Sequence, residues 1–438
     1  MPEKTEHPDK LVLQPIARIS GQVRLPGSKS LSNRMLLLSA LAVGETRIEN
    51  LLDSEDTRVM VAALRQLGVD VEGDPASGSL TVVGRGGPLP GGRHTLHLGN
   101  AGTAMRPLAG VLAGGEGEYL LEGVPRMHER PIGDLVDGLR QLGADIEYPE
   151  REGYPPLRIL AAGLRGGEAA ISGRTSSQFI TALLMAAPLA DGAVTVRVVD
   201  RLTSEPYVKM TCGLMERFGV RVAEPAAGRY EVAAGQSYQS PGRAHVEGDA
   251  SSASYFLAGA AITGGTVRVA GCGSASLQGD ARFAAELERM GARVTWEPEA
   301  IEVSGGDGPL RGIEAELADL PDAAMTLAVA ALFAEGPTTL RGIANWRVKE
   351  TDRMAAVSTE LEKLGARTEV GEAHLTVHPP PQLTSAVIAT YDDHRMAMAF
   401  SLAACGPEPV TILDPGCVAK TFPDYFAVLA SLVENGNE

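Results

Sequence analysis

The chain has 438 residues, 44% of them hydrophobic, with 51 glycines and 28 prolines, enough to bury the cores of two or three domains of an α/β protein. Its net charge of −16 argues against a nucleic-acid partner, because phosphate-backbone binding relies on surplus Lys and Arg, yet it leaves room for a local basic pocket and a small anion. No apolar run reaches 18 residues, so no membrane span is expected, and the polar start MPEKTEHPDK lacks signal or transit character, which makes the cytoplasm the expected compartment.

The first informative stretch is LPGSKSLSNR, Leu25 to Arg34. It follows the strand-like Gln22–Leu25 and opens an apolar helix at Met35–Leu38. A helix's first turn carries unpartnered N–H groups and roughly +0.5 charge, which suits an anion. Lys29 and Arg34 stand where the dipole would favour acids. A Ser-capped helix with two solvated cations explains the segment equally well. The spacing of Gly27 and Lys29 does not fit a P-loop, which counts against an NTPase.

Further along, helix-like segments end in an apolar residue and a glycine, with a strand to follow. The glycines are Gly68, Gly143, Gly219, Gly291, Gly365 and Gly436, about 73 residues apart. Six such caps at nearly constant spacing predict a six-fold repeat of strand, helix, strand, helix, strand. Ala182–Ala190 and Leu327–Ala334 are apolar nearly all round and are expected to be buried helices. Gly84–Gly92 and His378–Leu383 read as loops. Two lobes of three repeats are favoured over a solenoid, which would need divergent polar ends. The four cysteines are scattered without CxxC spacing, and neither His94/His97 nor His374/His378 is spaced for a metal, so reduced thiols and no metal or cofactor are expected.

Chemistry gathers where the repeats open their helices: GSKSLSNR, GNAGTAMR, RTSSQF, GDASSASYF, LPDAAM and YDDHRM. Most offer a Ser, Thr, Asn or Asp for capping. Capping does not account for the cations at the same places: Lys29, Arg34, Arg106, Arg130, Lys349, Arg353, Arg395 and Lys420. Eight cations at matching helix starts in an acidic protein point to a ligand with more than one phosphate or carboxylate. Asp322 and Glu350 stand among them. Spacing alone favours helix capping for Asp322 and dipole complementation for Glu350, while acid–base chemistry without a metal would need just such groups.

LPGSKSLSNR, LGNAGTAMRPLAG, RPIGDLVDGLRQLGA, SSQFITALLMAAPLA, VEGDASSASYFLAGAAI, NWRVKETDR, YDDHRMAMAFSL and AKTFPDYF occur in order from Leu25 to Phe426. Together they resemble the 5-enolpyruvylshikimate-3-phosphate (EPSP) synthase family, in its bacterial, glyphosate-sensitive form. The resemblance implies a two-lobed enolpyruvyl transferase-like α/β fold of six βαβαβ-type repeats, helices inside and sheets outside. One lobe would take residues 27–246 and the other 1–26 with 247–438, with a cleft between them. It implies transfer of the carboxyvinyl group of phosphoenolpyruvate to the 5-hydroxyl of shikimate 3-phosphate, with release of phosphate, by addition and elimination. Asp322, Glu350 and Lys29 would be catalytic. Shikimate 3-phosphate would be held by Lys29, Ser30, Arg34, Ser176, Ser177, Ser204, Tyr207, Asp322, Asn345 and Lys349. Phosphoenolpyruvate would be held by Lys29, Asn100, Gly102, Thr103, Arg130, Gln178, Arg353, His394, Arg395 and Lys420, with Arg106 shaping the wall. Glyphosate inhibition and a monomer are expected. The alternatives are transfer to UDP-N-acetylglucosamine, weakened because that family's catalytic Cys has no counterpart between Val69 and Gly143, and a non-catalytic phosphometabolite-binding module.

Overall fold

The computed structural model describes residues 9–434. The cap reading at Gly436 and most of the polar leader, residues 1–8, lie outside the described residues. The chain divides into two compact units: one takes the chain up to Pro26 and again from Gly248, the other runs Gly27–Glu247. Twelve α-helices stand among the described residues, two per repeat. In the Gly27–Glu247 unit they are α1 (Lys29–Leu41), α2 (Glu55–Gln66), α3 (Gly102–Ala113), α4 (Gly133–Gln141), α5 (Ser177–Ala186) and α6 (Glu205–Arg217). In the other unit they are α7 (Ala250–Thr263), α8 (Phe283–Arg289), α9 (Ala324–Ala330), α10 (Arg353–Lys363), α11 (His394–Ser401) and α12 (Tyr425–Leu432).

The two helices of a repeat differ in burial, and that difference sets the layering. Every residue of α9 and α11 is buried, as is all of α1 except Ser30. The second helices keep an exposed face: α4 buries Leu135, Val136, Gly138 and Leu139 and leaves its polar side in solvent. The first helices therefore form the core of each unit. In one unit α3 packs on both α1 and α5, and in the other α9 packs on both α7 and α11. Gly110 lets α3 approach α5, since a Cβ there would lie 2.7 Å from the Ala182 carbonyl oxygen. Each Leu buried in this way contributes about 1.5–3 kcal/mol.

The sheets cover these helices. Arg93–His97 pairs in parallel with Glu116–Glu122, which pairs antiparallel with Leu157–Ala162, which pairs antiparallel with Asp145–Glu147. Five of the six repeats show this four-stranded order. The pattern in sequence predicts three strands per repeat, and the structure adds a fourth. The extra strand returns through a short hairpin, such as Asp74–Gly78, where Gly78 has φ 70°. Runs of three to five residues joined by so short a turn read as one strand with a ragged end. The sixth sheet is completed by Lys10–Leu13, which pairs antiparallel with Val410–Leu413.

The strands that flank the two crossings each stay with their own unit. Gly21–Arg24, just before α1, pairs with Thr266–Ala270, whereas Arg243–His245, just before α7, pairs with Glu45–Glu49. The five predicted glycine caps within the described residues all have positive φ, from 79° at Gly68 to 111° at Gly291. Cys212, Cys272, Cys405 and Cys417 are free thiols. Among the described residues no helix is long and apolar enough to cross a membrane, and no group of three or more His, Cys, Asp or Glu is placed to hold a metal.

Candidate active site

In the Gly27–Glu247 unit the site begins at the open end of α1. Gly27 is required there, because a Cβ would fall 1.9 Å from the Asn50 carbonyl oxygen. Ser28 occupies the cap position but makes no side-chain cap bond, so the plainer reading of this segment as a Ser-capped helix does not hold. Lys29 is buried, its Nζ 3.7 Å from Asp56 Oδ2. The same Asp56 oxygen accepts from Thr103 Oγ1 at 2.9 Å, and Thr103 accepts from Asn33 Nδ2 at 2.8 Å. One buried polar chain thus joins the starts of α1, α2 and α3 around the lysine.

The start of α3 is likewise uncapped by a side chain and has no acid in its first turn. Two guanidiniums flank it instead. A Cβ on Gly102 would stand 2.8 Å from Arg106 Nη1 and 3.0 Å from Arg130 Nη2. Arg130 precedes α4 in sequence, yet its guanidinium serves the start of α3, where Nη1 donates to both the backbone and side-chain oxygens of Asn100. Arg130 Nε is buried without a hydrogen-bond partner. Arg106 donates to Met127 Sδ and the Pro131 carbonyl. A helix start, a glycine with no room for a side chain, and two buried guanidiniums make a receptor for a small anion.

Arg34, one turn into α1, donates from Nε to Thr211 Oγ1 and from Nη1 to the Ser30 carbonyl. Among the described residues neither Arg34 nor Arg130 is paired with a carboxylate. Burial pulls the Arg34 pKa down to about 10, opposed by the field of Tyr207. A buried cation without a counter-charge is costly and is relieved by a bound anion. Tyr207 lies in the first turn of α6 and accepts from Thr211 Oγ1. Ser204, at the start of α6, is buried with φ 60°. Ser176 caps α5 through the Gln178 N–H, with Ser177 and Gln178 beginning the helix. Arg174 turns away to Asp200, 3.3 Å from Nε.

The other unit carries an ionic cluster. Asp322 lies 2.8 Å from Arg353 Nη1, 3.0 Å from Arg395 Nη2 and 3.6 Å from Lys349 Nζ. Arg353, fully buried, also meets Glu350 at 3.1 Å and Asp393 at 2.7 Å. Burial alone would raise the Asp322 pKa, but Arg395, Lys349 and Arg353 outweigh it and hold the carboxyl well below the usual range. Burial likewise works to lower the Arg353 pKa, and Asp393, Glu350 and Asp322 overcome it and hold the guanidinium charged. Capping, which spacing favours for Asp322, is not its role: α9 starts at Ala324 with no side-chain cap. Glu350 lies outside the first turn of α10, which Asp352 caps. His394 opens α11 and is completely buried, its Nδ1 3.5 Å from Asp393 Oδ1. Asn345 is buried in the Ala344–Val348 turn with Oδ1 lacking a hydrogen-bond partner, and Lys420 ends the Pro415–Lys420 turn, largely buried.

Sequence reasoning passed over Asp56 and Asp393. Both read as ordinary first-turn or cap acids, and both are such; Asp393 caps α11 through the Arg395 N–H while gripping Arg353. The signal for Asp393 was present in YDDHRM, where two adjacent acids precede one cation.

The family model for EPSP synthase (3-phosphoshikimate 1-carboxyvinyltransferase) matches residues 13–429. The chain is 58% identical over 440 residues to a chloroplastic 3-phosphoshikimate 1-carboxyvinyltransferase of Solanum lycopersicum, covering 97% of this chain and 84% of that one. It is 58% identical over 425 residues to a 3-phosphoshikimate 1-carboxyvinyltransferase of Yersinia pestis, covering 97% and 99%. Among solved structures, EPSP synthase from Acinetobacter baumannii superposes with a TM-score of 0.80 at 27% identity, covering 97% of this chain and 98% of that one.

Proposed function

The chain belongs to the EPSP synthase (3-phosphoshikimate 1-carboxyvinyltransferase) family, and from that premise we propose how its residues move a carboxyvinyl group from phosphoenolpyruvate to the 5-hydroxyl of shikimate 3-phosphate, a step of the shikimate pathway. The 5-hydroxyl oxygen adds to C2 of phosphoenolpyruvate while the methylene takes up a proton. Loss of a proton from the resulting methyl group and departure of phosphate then restore the double bond. Asp322 accepts the hydroxyl proton. Glu350 and Lys29 carry the proton to and from the methylene and assist the leaving phosphate. The observation that carries this reading is the grip of Lys349, Arg353 and Arg395 on the one carboxylate Asp322.

That grip gives the base a reason to wait for substrate. Arg395, Lys349 and Arg353 hold Asp322 ionised and only weakly basic. An anion that takes up Lys349 and Arg395 draws positive field off the carboxylate and raises its proton affinity when the hydroxyl arrives. Cations left in place stabilise charge on the tetrahedral intermediate.

Shikimate 3-phosphate draws on Ser30, Arg34, Ser176, Ser177, Ser204, Tyr207, Asn345 and Lys349, and the buried Arg34 without a carboxylate supports its phosphate there. Phosphoenolpyruvate draws on Lys29, Asn100, Gly102, Thr103, Arg130, Gln178, Arg353, His394, Arg395 and Lys420, supported by the two guanidiniums around Gly102. Glyphosate, a small polyanion, competes for the phosphoenolpyruvate positions. We assign the protein to the cytoplasm as a monomer. The test is phosphate release from phosphoenolpyruvate with shikimate 3-phosphate or UDP-N-acetylglucosamine as acceptor. Turnover with the first alone is expected; turnover only with the second, or with neither, overturns the proposal.

A further inference from the structure

Glu360 is a carboxylate with no exposed surface that the reaction above does not use. It lies in α10 seven residues after Arg353, two turns on and so on the same face. Its Oε1 accepts from the Tyr391 hydroxyl at 2.7 Å, and its Oε2 from the Ala389 N–H at 3.2 Å. Lys363 supplies the counter-charge from the next turn, at 2.8 and 2.7 Å from the two oxygens. The segment so held leads straight into Asp393, His394 and Arg395. Within it Tyr391 and Asp392 are consecutive non-glycine residues in the left-handed region, at φ 55° and 54°. Two such residues in a row do not persist unless the surroundings hold them there.

We propose that Glu360 is a positioning residue, which through Tyr391 braces the strained turn so that Asp393 and Arg395 meet Arg353 and Asp322. α10 grips this turn at two points on one face: Arg353 holds Asp393, and Glu360 holds Ala389 and Tyr391. Releasing the second grip lets the turn relax toward ordinary φ and swings the start of α11. The Arg395–Asp322 pair at 3.0 Å is then lost first. The cost falls on phosphoenolpyruvate, whose proposed ligands include Arg353 and Arg395, and not on shikimate 3-phosphate, whose proposed ligands come mostly from the stretch Ser30 to Tyr207. The inference rests on the functional reading above.

The test compares Tyr391→Phe, Glu360→Ala, Glu360→Gln and the double variant Tyr391→Phe/Glu360→Ala with the wild type. The readouts are steady-state kinetics in each substrate, calorimetric titration with shikimate 3-phosphate, and thermal melting. Tyr391 is half in solvent and its variant loses a single hydroxyl, so it keeps the test meaningful where Glu360→Ala fails to fold. Tyr391→Phe is expected to lower kcat/KM for phosphoenolpyruvate about ten-fold while leaving shikimate 3-phosphate affinity unchanged. Glu360→Ala should do the same, the double variant should be no worse than either, and Glu360→Gln, which keeps an acceptor, should recover most of the activity. A Tyr391→Phe enzyme with wild-type kcat/KM overturns the proposal, as does an equal loss for both substrates. A wild type that releases no phosphate with either acceptor overturns the functional reading itself, and this inference with it.

Discussion

Arg353 Nη1 lies 2.8 Å from Asp322 Oδ1, while its Nε lies 2.7 Å from Asp393 Oδ2. One buried guanidinium therefore fixes both the proposed base and the acid that caps α11. Asp322→Asn keeps the shape and removes the charge and the basicity. We expect kcat to fall by about 10³-fold, the scale of general-base catalysis, with shikimate 3-phosphate affinity within a few-fold of wild type. Rapid-quench phosphate release and calorimetric titration check the two halves of this expectation. If Asp322 serves only to fill space, kcat survives.

The pH dependence follows from the same contacts. The Asp322 carboxyl has its folded pKa held below its unfolded value of about 3.9. Its stabilising contribution is therefore fully present above that unfolded value and is lost as pH falls through the folded one. Urea unfolding of wild type and Asp322→Asn should differ by a constant amount from about pH 5 to neutrality. The difference should shrink only below about pH 4. A gap that already closes near pH 6 contradicts the three-cation grip.

Arg34 gives a prediction of the opposite kind. It is a buried cation with no carboxylate partner among the described residues, so burial costs the free protein stability. Arg34→Met should leave unfolding stability unchanged or raised by about 1 kcal/mol, because a desolvated charge is exchanged for an apolar chain of similar length. Shikimate 3-phosphate is expected to raise the melting temperature of the wild type, by binding the native state alone, and to lose that effect in Arg34→Met. Melting curves with and without ligand settle both points.

How much of this was legible in the sequence differs between the two levels. The repeat was readable because a left-handed helix cap admits few residues other than glycine, so Gly68, Gly143, Gly219, Gly291 and Gly365 keep their places whatever surrounds them. The fourth strand was not: the short strand after each cap, such as Asp145–Glu147 after Gly143, was expected, but its antiparallel return along Leu157–Ala162 depends on a partner that sequence does not display. The cations were readable as a group. Their destinations were not: Arg130 crosses to the start of α3, and Arg353 reaches the starts of two other helices. A side chain as long as arginine's spans several residues of backbone, and only packing decides where its head rests. The capping that spacing alone favours for Asp322 shows the same limit, since a short acid before a helix has one local use that sequence displays and several distant ones that it does not.

Gly102 and Gly27 separate two ways in which a missing side chain matters. At Gly102 an added Cβ meets the ends of Arg106 and Arg130, at 2.8 and 3.0 Å, and these flexible groups give way. Gly102→Ala should therefore fold with a melting temperature close to wild type, while the displaced guanidiniums raise KM for phosphoenolpyruvate about ten-fold. At Gly27 the Cβ meets the Asn50 carbonyl at 1.9 Å, and Asn50 itself sits at φ 57° with its Nδ2 bonded to the Val246 carbonyl. Nothing there can yield without moving backbone. Gly27→Ala should cost about 3 kcal/mol or more, the upper end for overpacking, and should lower the melting temperature even with both substrates present. Were Gly27→Ala as stable as Gly102→Ala, the close approach of Gly27 to Asn50, and with it the placing of Lys29 at the start of α1, would be wrong.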